Sequence, residues 1–235
     1  MSGNSWVAGA FPAALRAEAT VVAKLLPRSD LSPSGRFTVD VEGERLTIPY
    51  RIYNGVTRAT AQLTVPSDVY WGGIVDAWEA EGALVASMAA AAHTRSHDGW
   101  ARQRALRRLL AGPVLAPWMI PFIVQLVGEY VVQIVDDIAE ALPDVGVPGS
   151  VHQAAFGRYL GENPEVLRLT RARVASYWDC YYRRAYPAIE DYPGQRLVAA
   201  FSRAASASSL DLTPALRQTG PSSRATHIAD GEPAG

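Results

Sequence analysis

One cysteine, one lysine and four histidines are all that the 235 residues hold of those types. The lone Cys180 excludes an internal disulfide framework and any multi-cysteine metal site. Lys24 stands against arginine everywhere else, which we read as the codon bias of a GC-rich genome. A net charge of -1 gives no global attraction to nucleic acid or membrane, so any electrostatic function must come from local patches. No phosphate loop, dinucleotide fingerprint or nucleophile elbow occurs, and no fixed-period repeat runs along the chain. The first residues have no basic side chain before Arg16 and no long apolar core, which makes a poor signal peptide. A cytoplasmic protein is expected.

A long apolar run is missing too. The stretch PWMIPFIVQLVGEYVVQIVDD, residues 117–137, comes nearest, yet it carries Gln125, Glu129, Gln133, Asp136 and Asp137. A span needs about 20 predominantly apolar residues, and a central Glu129 would be costly there. Gln125, Glu129, Gln133, Asp136 and Glu140 recur at steps of three and four, one stripe on an otherwise apolar helix. The reading is a central buried helix, with Pro121 in its first turn and Pro143 ending it. Its stripe is expected to be solvated or paired with arginine.

What is present indicates one α-rich domain over residues 11–205, a flexible segment at 1–10 and a disordered tail at 206–235. The β signal is RFTVDVEGERLTIPYRIY, residues 36–53, where two alternating apolar runs flank Glu42-Gly43. A weaker third strand is expected over Ala61–Val65. Helices are expected over 11–26, from Ile74 to about Ala92, from Asp98 to Gly112, over Val151–Leu160, from Asn163 to Tyr186, and from Gly194 to about Ala205. The fold class is therefore mainly α, built of irregular helical pairs with a small N-terminal β-hairpin. The segment 98–142, with Asp98-x-x-x-Arg102, a leucine-rich helix, a proline turn and an apolar helix, resembles a HEAT-type hairpin.

LTIPYRIYN, PFIVQLVGEYVVQI and RVASYWDCYYRRAYP with EDYPG after it resemble stretches of an uncharacterised bacterial family of helical proteins. The resemblance spans roughly Leu46 to Gly194. It implies a discrete domain and brings no activity, cofactor or catalytic residue with it.

Three readings of function are open. The first is a non-catalytic interaction module that binds a protein partner or a second copy of itself. Its surface is the helix carrying Tyr177, Trp178, Tyr181, Tyr182, Arg183 and Arg184, the residue types enriched at interface hot spots. The second is nucleic-acid binding through Arg102, Arg104, Arg107, Arg108, Arg168, Arg171 and Arg173, since arginine beside aromatics suits phosphate contact and base stacking. Against it, the acidic residues between the two arginine groups could pair with them internally. The third is a metal-dependent enzyme using His93, His97, Asp98 and Glu129. His93 and His97 have the i, i+4 spacing of helical zinc ligands, but no glutamate lies between them as in H-E-x-x-H. No catalytic residue, metal ligand or cofactor is assigned. Cys180, among Trp178, Tyr181 and Tyr182, is expected to be a buried thiol.

Overall fold

The computed structural model describes residues 4–27, 32–53, 67–112 and 114–216. It is mainly helical with one two-stranded antiparallel hairpin. The strands are β1, Ser34–Val41, and β2, Glu44–Arg51. The helices are α1, Arg16–Leu25; α2, Ser67–Glu79; α3, Ala83–His93; α4, Gly99–Leu110; α5, Ile120–Val127; α6, Val132–Ala141; α7, Val151–Glu162; α8, Pro164–Tyr177; and α9, Pro193–Leu216. Among the described residues no helix is long and apolar enough to cross a membrane.

The hairpin forms where alternation predicts it. Glu42 and Gly43 both have positive φ, 51° and 81°, the backbone that a tight two-residue turn requires. Val39 pairs with Leu46 and Phe37 with Ile48, and Val39, Leu46 and Ile48 are buried. Pro49 sits opposite Arg36, tolerated because a two-stranded sheet has an open edge on each side. Beyond β2 the chain makes one parallel bridge. The Ile52 amide donates to the Arg95 carbonyl, and the His97 amide donates to the Ile52 carbonyl, each at 2.8 Å. This stitches the hairpin to the turn between α3 and α4.

Several expected boundaries move. The first residues, expected to be flexible, put Trp6, Val7 and Ala10 into the core. Asn4 donates to the Ala23 and Leu26 carbonyls at 3.0 and 3.1 Å, satisfying the open end of α1. Helix α1 starts at Arg16, after a 3-10 turn at Ala13–Leu15, and stops before Pro27 because a residue preceding proline is pushed out of helical geometry. The helix read across Gly82 is two helices, since Gly82 has φ of 100°. The last helix runs past Ala205 to Leu216, where disorder was expected from residue 206. The weak strand over Ala61–Val65 and the tail beyond Leu216 lie outside the described residues.

Small residues let the core close. In α3, Ala86 and Ala89–Ala92 are fully buried and admit α1 and α4 on either side. Gly157 of α7 faces α9 so closely that an added Cβ would lie 2.4 Å from the Ala204 carbonyl. Beside this contact, Phe156 and Phe201 stack at 5.4 Å. Asn163 precedes α8 but does not cap it. Its amide group instead accepts from the Asp40 amide at 2.9 Å and donates to the Asp40 and Tyr159 carbonyls at 2.7 and 2.8 Å, tying β1 to the α7–α8 junction.

The central stretch brings the main correction. The single helix expected from residue 121 to 142 is broken: α5 ends at Val127, and α6 begins at Val132. The hairpin expected at 98–142 thus contains three helices, with α4 packed on α6.

Candidate binding surface at the α5–α6 break

The break places Glu129 between the two helices, 3% exposed, where three arginines converge on it. Arg51 comes from the end of β2, Arg95 from the α3–α4 turn and Arg102 from α4. Arg51 Nη1 lies 2.8 Å from Glu129 Oε1, Arg95 Nη2 3.4 Å from the same oxygen, and Arg102 Nε 2.8 Å from Oε2. The last contact is close but poorly aligned, so it is an ion pair without a well-formed hydrogen bond. Arg102 Nη1 also donates to the Ser96 and His97 carbonyls, at 2.9 and 3.0 Å. Arg95 Nη2 donates to the Thr94 carbonyl at 2.8 Å.

Arg95 is wholly buried. Burial lowers its pKa to about 9, with Arg51 and Arg102 pushing the same way and Glu129 opposing. Besides Arg102 Nε, two buried guanidinium nitrogens of the cluster, Arg95 Nη1 and Arg102 Nη2, make no hydrogen bond.

On the outer side of the break lies a tyrosine surface. Tyr130 and Tyr177 meet at 6.2 Å, edge to face, and Tyr177 meets Tyr181 at 6.2 Å. Tyr130 is 52% exposed and Tyr181 67%. Close by, Arg173 lies over the Tyr50 ring at 5.1 Å, and its Cδ would be 3.2 Å from a Cβ at Gly128. A side chain at Gly128 would crowd the Arg173 side chain of α8.

The expected partner-binding residues divide into two groups. The helix ends at Tyr177, and Trp178–Tyr182 form a π turn, whose wider winding inserts one residue and rotates the side chains beyond it. Within this turn Tyr182 points inward, stacked on Tyr192 at 5.3 Å, while Tyr181 points out. Trp178 is half-buried, donating to the Tyr186 carbonyl at 2.8 Å, with Arg183 over its ring. Arg183 pairs with Asp179 at 2.9 Å, and both Arg183 and Arg184 are exposed. Cys180, expected to be buried, is exposed.

Most of the arginines considered for nucleic acid have internal partners. Arg107 forms a two-pronged pair with Asp137 at 2.9 and 3.0 Å, Arg108 pairs with Glu79 at 2.7 Å, and Arg168 pairs with Glu165. Arg171 donates to Ser202 at 2.5 Å. Arg104 is half-buried along α4. The pairings of Arg102 with Glu129 and Arg107 with Asp137 are the bridging between basic and acidic segments that the sequence allowed.

The residues considered for an enzyme do not assemble. Helix α3 ends at His93, so His97 lies in the following turn and the helical spacing does not apply. His93 is buried between Trp71 and Trp78, each ring 5.3 Å away. His97 is exposed beside Tyr53. Asp98 caps α4, accepting from the Trp100 amide at 2.9 Å, and Glu129 is held by the arginines. Among the described residues no three His, Cys, Asp or Glu side chains stand close enough to hold a metal.

Sequence reasoning did not foresee Arg51, Tyr50 or Tyr130 as site residues. Arg51 lies in an alternating strand where a polar outward position is ordinary, and nothing local marks it as the partner of a glutamate 78 residues away. No protein-family model, curated protein or solved structure matches the chain.

Proposed function

We propose that the chain is a non-catalytic interaction module that binds a protein partner through the tyrosine surface at the α5–α6 break. The observation that carries it is the pair Tyr130 and Tyr181, both more than half exposed and both in ring contact with Tyr177. A tyrosine presents a large apolar face and a hydroxyl at little cost in side-chain entropy, which suits it to anchor a partner. Arg183 and Arg184 supply a polar rim beside it. In this reading the module works in the cytoplasm, where a reducing setting keeps the exposed Cys180 as a thiol.

Nucleic acid has less to rest on, because Arg102, Arg107, Arg108 and Arg168 already have carboxylate partners.

The test compares the wild type with the double variant Tyr130→Ala and Tyr181→Ala, both checked to melt at the same temperature. Proteins retained by the immobilised wild type and lost by the variant support the surface. Light scattering of both shows whether the partner is a second copy. Identical retention by both proteins sinks the proposal, as does a salt-sensitive shift of a nucleic-acid probe that the variant leaves unchanged.

A further inference from the structure

The arginine cluster around Glu129 is not balanced. Three guanidinium groups, Arg51, Arg95 and Arg102, surround one carboxylate, so two positive charges lack a counter-ion within the cluster. Buried charges are ordinarily paired. Arg95 and Arg102 are at most 1% exposed, and Arg95 Nη1 and Arg102 Nη2 each hold N–H donors that meet no acceptor. The nearest further carboxylate on the α3–α4 turn, Asp98, is exposed and committed to the cap of α4. Residues 54–66, which lie beyond β2 in the chain, contain neither Asp nor Glu.

Of the three arginines, Arg51 is the one that reaches solvent. Arg51 has 26% of its side chain exposed, and only its Nη1 is used, on Glu129 and the Tyr50 carbonyl. A fourth arginine, Arg173, lies over the ring of the preceding residue, Tyr50, at 5.1 Å.

We propose that this cluster is a binding site for a doubly charged oxyanion of phosphate size, reached past Arg51 and held by Arg51, Arg95 and Arg102. Two missing negative charges match a phosphate or phosphomonoester dianion. Its oxygens can each accept from planar guanidinium N–H groups, in the geometry that makes arginine a phosphate ligand. Glu129 holds the three side chains converged when the anion is absent. The site is independent of the tyrosine surface.

The experiment titrates the full chain with inorganic phosphate and, in a separate arm, with glycerol 3-phosphate. Both are set against potassium chloride at matched ionic strength, with calorimetry and melting temperature as readouts. The wild type is expected to bind phosphate and to melt higher in its presence than in chloride. Binding by glycerol 3-phosphate as well assigns the site to a phosphomonoester, and binding by phosphate alone to the free anion. Arg51→Gln is expected to weaken binding by at least about tenfold, from loss of a charged hydrogen bond. Glu129→Gln, which removes the internal competitor, is expected to depend on phosphate for stability more steeply than the wild type does. Tyr181→Ala should leave phosphate binding unchanged, which separates this site from the protein-partner surface. A wild type that responds to phosphate no more than to chloride, or an Arg51→Gln protein that responds equally, overturns the proposal.

Discussion

The Tyr182 hydroxyl donates to the carbonyl of Tyr130, 52 residues earlier, and accepts from the Val132 amide at 3.3 Å. One phenol thus satisfies a carbonyl and an amide that the break between α5 and α6 releases from helical pairing.

Replacing Tyr182 by Phe removes both bonds and keeps the ring stacked on Tyr192. The expected cost is about 1–3 kcal/mol, that of leaving a partly buried backbone group unsatisfied. Hydrogen exchange at Val132 should accelerate more than exchange in α9. Unchanged protection at Val132 would show that the hydroxyl does not hold the break.

Arg102 and Arg107 lie on the same helix and both face carboxylates, yet their truncation should differ severalfold in cost. Arg102→Ala removes the Oε2 contact of Glu129, leaves the Ser96 and His97 carbonyls without their donor and opens a hole in the core, for an expected loss of about 3–5 kcal/mol. Arg107 is well exposed, so solvent screens its pair with Asp137, and Arg107→Ala should cost no more than about 1 kcal/mol. Urea unfolding of the two variants decides the matter, and equal losses would contradict the burial argument.

Acid should unfold the protein in part through His93. Burial lowers its pKa from 6.5 to about 4, with Asp98 opposing. The unfolded chain takes up a proton at a pH where the folded one stays neutral, so stability falls as pH drops from about 6.5 to about 4. At about 1.4 kcal/mol per unit the loss is bounded at about 3.5 kcal/mol. In His93→Gln the same limb of the stability profile should flatten. A variant with the wild-type slope between pH 7 and 4 would assign the acid sensitivity elsewhere.

A cavity of about 380 Å³ lies between the tip of the hairpin and the start of α7, lined mainly by apolar groups and including Tyr159. Burial raises the pKa of the Tyr159 phenol far above its usual value, and its hydroxyl meets no partner. Tyr159→Phe should therefore leave the melting temperature unchanged or raise it, since it deletes an unsatisfied polar group and keeps the ring. A fall equivalent to more than about 1 kcal/mol would show that the hydroxyl has a partner in solution.

Much of the architecture was legible locally. Alternation around Glu42-Gly43 located the hairpin, and Asp98 and Pro164 marked true helix starts, because turn and cap chemistry acts over a few residues. The polar stripe of residues 125–140 correctly argued against a membrane span. It also misled, since a period near 3.6 is equally consistent with one helix or with two in succession.

By itself the sequence determined the helical class, the hairpin and its turn, and the presence of basic and acidic segments able to pair. Tertiary structure alone decided that α5 and α6 separate, that Arg51 and Arg95 join Arg102 on Glu129, and that Tyr182 turns inward while Tyr181 stays out. The reason is sequence distance. The break depends on Tyr182 far along the chain and on arginines from a strand, a turn and another helix. Those bonds outweigh a local preference for continuous helix that amounts to less than about 1 kcal/mol per residue.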